Sequence, residues 1–295
     1  MLFNNGRSST NPKKPPAAGR LTLDRVCKRF ANSEHAAIED ITLDCRPGEF
    51  VVVVGPSGSG KSTLLNIAAG MTHPDSGCAW LDGIPITAPG PERAMVFQEH
   101  GLFPWLSAAQ NVEFGLKMAG FPPSERSDRV VQALRMVHLE SSAEKLVHEL
   151  SGGMRQRIAI ARALVMDPAV LLMDEPFASL DAQTRTLLHH QLQALWGQTQ
   201  KTILFVTHSV GEAVRLADRI IVLNTLPGRI RKEICVPLAH PRIFDSSDIN
   251  ELAKLVRKEI EQEVNRVNAL AAEDSWRPEE TADMGAFADD LGSGI

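Results

Sequence analysis

Five consecutive apolar residues, Phe50-Val51-Val52-Val53-Val54, run directly into Gly55-Pro56-Ser57-Gly58-Ser59-Gly60-Lys61-Ser62-Thr63 and then into the helix-like Leu64-Leu65-Asn66-Ile67-Ala68-Ala69. This order of buried strand, glycine-rich loop and helix constrains the fold more than any other feature of the chain. Glycines let consecutive backbone N–H groups curl around an anion, and the helix that follows adds the positive end of its dipole. The spacing is that of a phosphate-binding P-loop in its proper context and predicts a bound nucleoside triphosphate. Within it, Lys61 is expected to reach the β- and γ-phosphates, Ser62 to ligate Mg2+ and Thr63 to touch the α-phosphate. A turn that merely led into a buried helix would have little use for the Lys-Ser pair.

Two further motifs bear charge or invite it. Leu150-Ser151-Gly152-Gly153-Met154-Arg155-Gln156-Arg157 precedes an apolar-periodic run to Leu164. Ser151 is a good N-cap, and the two glycines leave the first-turn N–H groups open to solvent or ligand, so an anion belongs there. Farther on, Ala169-Val170-Leu171-Leu172-Met173 ends in Asp174-Glu175-Pro176. A fully apolar strand with acids at its C-terminal edge is how an α/β sheet delivers charge to a ligand crevice. In order and spacing these motifs resemble those of the ABC ATPases over about residues 20 to 235.

That resemblance implies an α/β fold of the P-loop NTPase type, with an antiparallel β edge sheet and an inserted helical subdomain, binding ATP with Mg2+. It implies that Asp174 supports the metal through water, alongside Ser62, and that Glu175 is the general base that polarises the attacking water. Gln98, after the strand-like Ala94-Met95-Val96-Phe97, matches the Q-loop glutamine, which contacts Mg2+ or the lytic water. Ser179-Leu180-Asp181 matches the D-loop, and His208, after Thr202 to Thr207, matches the switch histidine; by itself that histidine reads as an ordinary capping residue. In the family the Ser151-Gly152-Gly153 helix end meets the γ-phosphate held on the P-loop of a second subunit, so the resemblance implies a head-to-tail homodimer with two composite sites. The reaction is then phosphoryl transfer to water, with Lys61, Mg2+ and the partner's helix end offsetting charge while Glu175 orients water. Phe30 sits where the family stacks an aromatic ring on adenine, and reads equally well as a core residue closing a strand.

No apolar run approaches the ~20 residues needed to span a membrane, and no charged-then-apolar leader opens the chain, which predicts a soluble chain made in the cytoplasm. Cys27, Cys45, Cys78 and Cys235 are too widely spaced for a zinc or redox motif and read as reduced thiols. A formal net charge of −5 argues against a nucleic-acid partner. Residues 1 to 20 lack periodicity and read as a flexible tail ahead of an ATP-binding domain over 21 to 236. Strands are expected at 21 to 26, 38 to 45, 50 to 54, 169 to 173, 202 to 206 and 219 to 223, with helices at 183 to 196 and 209 to 217 in doubly wound rhythm. The helical subdomain spans about 102 to 165, with helices at Ser107 to Ala119, Ser124 to His138 and Ser142 to Leu146 before the signature helix.

Phe103, Pro104 and Trp105 are costly to expose and lie where the family receives a coupling helix from a membrane permease; filling the local core is the other reading. The wording of Pro89 to Gln98, with Leu102 to Trp105 and Asn111-Val112, resembles the nitrate, sulfonate and taurine branch of bacterial importer ATPases. That branch implies a peripheral subunit on the cytoplasmic face of the inner membrane, served by a substrate-binding protein. A soluble ABC-type ATPase acting without a permease is the alternative. After Pro237-Leu238-Ala239-His240-Pro241-Arg242, the residues Ile249, Leu252, Val256, Ile260, Val264 and Val267 fall near a 3.6 period and predict an amphipathic helix within 237 to 270, capped by Ser247 or Asp248 and either packed on the core or supporting a dimer. The acid-rich stretch 271 to 295 is expected to be disordered.

Overall fold

The computed structural model describes residues 19–31, 33, 35–242 and 247–275. Of the tail expected over 1 to 20, residues 1–18 lie outside the described residues, while Gly19 and Arg20 are held by hydrogen bonds from their N–H groups to Asp82; of the acidic stretch expected to be disordered over 271 to 295, residues 276–295 lie outside, while 271–275 belong to the last helix. Two sheets organise the chain. Strands β1 (Leu21–Lys28), β2 (Ile38–Cys45), β4 (Ser76–Leu81) and β5 (Ile84–Pro85) form an antiparallel sheet in the order β2-β1-β4-β5. Strands β3 (Phe50–Val54), β6 (Arg93–Val96), β7 (Val170–Asp174), β8 (Thr202–Thr207), β9 (Arg219–Leu223) and β10 (Ile230–Cys235) form the second, in the order β10-β9-β3-β8-β7-β6. It is parallel except for β10, which pairs antiparallel with β9 at the edge.

The apolar run of β3 is explained by its place inside this sheet. Every residue from Phe50 to Val54 is buried, with Phe50, Val52 and Val54 in one core and Val51 and Val53 in the other. A parallel strand covered on both faces needs apolar residues at every position. Helix α1 (Lys61–Ala69) lies between the two sheets, with Leu64, Leu65 and Ile67 in the core they share. The other face is covered by α4 (Gly152–Leu164), α5 (Ala182–Thr199), α6 (Val210–Leu216) and part of α7 (Ser247–Ser275). Helices α2 (Ala108–Met118) and α3 (Pro123–Met136) pack with α4 between β6 and β7 in sequence.

Several local expectations change. Residues 142 to 146 are not a helix: two single 3-10 turns, Glu140–Ser142 and Val147–Glu149, flank a segment that runs beside α2. The Lys145 carbonyl accepts from Ala108 N at 2.9 Å and that of Ala143 from Ala109 N at 2.8 Å. These carbonyls satisfy N–H groups that the first turn of α2 cannot pair internally, and residues 143 and 144 form a turn in place of a helix. Strands β4, β5 and β10 were not expected: only Ala79 and Leu81 of β4 and Ile234 of β10 are buried, too few for an apolar run. Helix α7 runs to Ser275, past the boundary expected at 270, and at its inner face Glu263 is fully buried while Val264 is exposed. The segment leading to α7 is tied to the core by Arg242, which is buried and donates to the carbonyls of Val214, Ala217, Val236 and Leu238. No helix among the described residues is long and apolar enough to cross a membrane.

Candidate functional site

The loop between β3 and α1 is shaped by close approach. A Cβ on Gly55 would lie 2.8 Å from Ser59 Oγ and 2.9 Å from the Leu223 carbonyl. Gly60 has φ 82°, and a Cβ there would stand on the Ala37 carbonyl and the Ile38 side chain. Only glycine suits a left-handed residue with no room for a side chain. Gly60 is also the N-cap of α1, so no side chain caps the first-turn N–H groups, and no acid lies in that turn. Lys61 begins the helix with its ammonium tucked under the loop. It donates to Gly55 O at 2.9 Å, Pro56 O at 2.8 Å and Ser59 Oγ at 3.4 Å, which uses all three of its N–H groups. Burial pulls its pKa below the ordinary lysine value, against the opposing charges of Glu175 and Asp174.

The acids arrive from β7. Asp174 Oδ1 accepts from Ser62 Oγ at 3.2 Å; burial pushes its pKa up, with the Ser62 hydrogen bond opposing. Glu175 has φ 43°, an uncommon conformation for a residue with a side chain. Its N–H donates to Val206 O in β8 at 2.9 Å, which holds the chain in that turn. The carboxylate Oε2 lies 2.9 Å from Nδ1 of His208, just beyond β8. A cavity of about 420 Å³ is lined by Ala37, Ser57, Gly58, Gly60, Lys61, Ser62, Thr63 and Glu175.

His208 itself is exposed, but its two neighbours are fixed. Thr207 Oγ1 donates to Glu212 Oε2 at 2.6 Å and accepts from Ser209 N at 2.9 Å, and Ser209 Oγ caps α6 by accepting from Glu212 N at 3.4 Å. His189 Nε2 lies 3.3 Å from Glu212 Oε1. Burial of Glu212 raises its pKa, but the hydrogen bonds from His189 and Thr207 outweigh it and leave the carboxyl below its ordinary value. The sequence reading missed this support. Its signal was present: Ser209-x-x-Glu212 is a capping-box pattern.

The remaining expected residues do not line this cavity. Ser151 is exposed and caps α4 by accepting from Met154 N at 3.3 Å. Asp181 caps α5, its Oδ1 accepting from Thr184 N at 2.9 Å, and that bond holds its carboxyl below the usual range. Gly153 has no room for a side chain because Thr184 stands against it, so these two helix starts touch each other. Gln98 is exposed beyond the end of β6. Phe30 is 47% exposed, which removes the core reading. Phe103 is half-buried, its ring 4.5 Å from that of Phe114 and 5.6 Å from that of Trp105, whereas Trp105 is 72% exposed. The core reading therefore suits Phe103 and does not suit Trp105.

Residues 38–178 match the family model described as ABC transporter. The chain is 46% identical over 237 residues to a taurine import ATP-binding protein of Roseobacter denitrificans, covering 79% of this chain and 88% of that one. The chain belongs to the ABC transporter ATP-binding family. A nitrate import ATP-binding protein of Synechocystis is 50% identical over 202 residues, 68% of this chain and 76% of that one. Among solved structures, a dimeric ATP-binding cassette in a post-hydrolysis state bound to ADP and Pi superposes with a TM-score of 0.65 at 34% identity, covering 74% of this chain and all of that chain. As an ABC ATPase the chain binds and hydrolyses ATP. Two features of the cavity suit that chemistry: N–H groups at the start of α1 for phosphate, and a carboxylate at its edge for water.

Proposed function

We propose that this ATPase is the motor of an importer for a small anion such as nitrate, taurine or an aliphatic sulfonate. It works as a homodimer on the cytoplasmic face of the plasma membrane, bound to a permease that a substrate-binding protein supplies. The import names of the similar proteins support the substrate class. The exposed Trp105, beside Pro104 and Phe103, supports a permease contact.

The observation that carries the dimer is the division of the site. The P-loop and Glu175 line one cavity, with His208 hydrogen-bonded to Glu175, while the helix end at Ser151 is exposed and lines none of it. A second copy brings its Ser151-Gly152-Gly153 helix end to the γ-phosphate, and Asp181 to the shared boundary. In this reading Lys61 exchanges its loop carbonyls for β- and γ-phosphate oxygens, Thr63 takes the α-phosphate and Phe30 stacks on adenine. Glu175 accepts a hydrogen bond from water and aligns it, with His208 holding that carboxylate in place and Gln98 entering when the dimer closes. Ser62 and Asp174, hydroxyl and carboxylate 3.2 Å apart, are hard oxygen donors that suit Mg2+, which binds through one or two protein oxygens and the phosphates. That ion would neutralise charge on the phosphates.

Glu175→Gln tests the reading. Loss of a group of this kind costs about a hundredfold or more in turnover, so the variant should bind ATP, stop hydrolysing it and accumulate as a closed dimer. Purified with ATP from native membranes, it should bring a multi-span permease that mass spectrometry identifies. Recovery of only soluble partners would sink the transport reading, and normal hydrolysis would sink the assigned base.

A further inference from the structure

The turn between β9 and β10 joins α7 to the wall of the nucleotide cavity. Gly228 in that turn has no room for a side chain: a Cβ would stand on the Ser59 carbonyl and lie 2.7 Å from that of Ala37, which lines the cavity. Its own carbonyl accepts from Glu39 N at 2.8 Å, and its N–H donates to Ala37 O at 3.3 Å. At the other end of the turn Thr225 is buried, and both of its backbone polar groups are taken by α7. Its N–H donates to Glu263 Oε1 at 2.8 Å, and its carbonyl accepts from Arg266 Nη2 at 2.6 Å. Glu263 is fully buried, closed on by Arg266 at 2.7 Å and 3.0 Å and approached by Arg231 of β10 at 3.6 Å. Between the two anchors Leu226 has φ 56°. A leucine holds that left-handed conformation only where its surroundings over-determine it.

We propose that Glu263 and Arg266 are positioning residues for the nucleotide cavity. By clamping both backbone groups of Thr225 they keep the turn in the strained form that seats Gly228 against Ser59 and Ala37, and so set the shape in which the P-loop receives ATP. A helix that only packed on the sheet would be served by an apolar residue at 263. Burying a carboxylate is unfavourable unless it is paired, and its directional bonds fix one register between α7 and the turn. The proposal rests on the placement of ATP in the P-loop cavity.

The test uses the full-length chain, a fluorescent ATP analogue for affinity and steady-state hydrolysis. Glu263→Ala and Arg266→Gln should raise the nucleotide Kd and KM by between about twofold and thirtyfold, with kcat at saturating ATP near wild type. Gly228→Ala should weaken binding as well, without touching α7. A helix with only a structural role would lower the melting temperature of the Glu263 and Arg266 variants and leave Kd unchanged, which overturns the proposal. Lys61→Ala separates the premise from the inference. If it abolishes binding while the α7 variants bind like wild type, the clamp is refuted alone; if it binds normally, the placement of ATP falls and the clamp with it. Should Glu263→Ala fail to fold, Arg266→Gln decides, because that side chain is 40% exposed and its loss leaves Glu263 paired with Thr225.

Discussion

Replacing Glu212 with alanine should separate catalysis from ATP binding. Glu212 is 4% exposed and serves Thr207 on one side and His189 on the other, at 2.6 Å and 3.3 Å. Truncation leaves a hydroxyl and an imidazole buried without that partner, at about 1–3 kcal/mol each. Together that is about 2–6 kcal/mol. At about 2–4 °C per kcal/mol for a chain of this size, the melting temperature should fall by roughly 4–24 °C. Glu212→Gln keeps an oxygen for the Thr207 hydroxyl and loses the charge, so about 1–2 kcal/mol is expected. Turnover measured well below the melting point should fall by about tenfold to a hundredfold in the alanine variant, because Thr207 and Ser209 no longer fix His208 between them. ATP affinity should not change, since Glu212 lines no part of the cavity. An alanine variant within about 1 kcal/mol of wild type, or one that loses ATP affinity and turnover together, would refute the reasoning.

Gly60→Ala combines a left-handed residue, worth about 1–3 kcal/mol of strain, with overlap on Ala37 and Ile38, and should abolish nucleotide binding while circular dichroism stays native. Binding within about threefold of wild type would contradict it. Asp174→Asn should raise the melting temperature at neutral pH while turnover is lost: burial raises the folded pKa above the ordinary 3.8, so stability is lost as pH rises through the folded value, and the amide removes that cost. An unchanged or lower melting temperature would count against it. Glu212 and Glu263 have the opposite sign, with folded values below the ordinary 4.5, their hydrogen bonds outweighing burial. Their contribution is complete above the ordinary values and is lost as pH falls through the folded ones. The urea midpoint should therefore drop steeply below about pH 4.5, and less steeply in Glu263→Gln; parallel acid profiles would exclude a contribution from that group.

What could be read from the chain alone, and what could not, follows from where the information lies. Strands β3, β7 and β8 are buried on both faces, so their apolar runs announce them, and the α/β class with its second antiparallel sheet follows from such local patterns. Strand β4 opens on the exposed Ser76, Gly77 and Cys78, and β10 carries the exposed Arg231, Lys232 and Glu233; they pair with β1 and β9, which no window of their own sequence records. The amphipathic period located α7 but mistook its phase near 263, because the bonds from Glu263 to Thr225 and Arg266 outweigh the apolar pattern. At the cavity the same division holds. Residues Ser57 to Thr63 form one contiguous run with glycine wherever the backbone turns left-handed, so the strain is spelled out. Ala37 comes from before β2, and Gly228 reaches the wall from the far edge of the sheet, with nothing beside either to mark it. Glu175 and Leu226 are left-handed without being glycine, and their conformations are set by β8 and by contacts from α7 to Thr225 and from the P-loop to Gly228. A glycine in such a position writes the strain into the sequence, whereas a glutamate or leucine there shows that distant parts of the fold hold the cavity in shape.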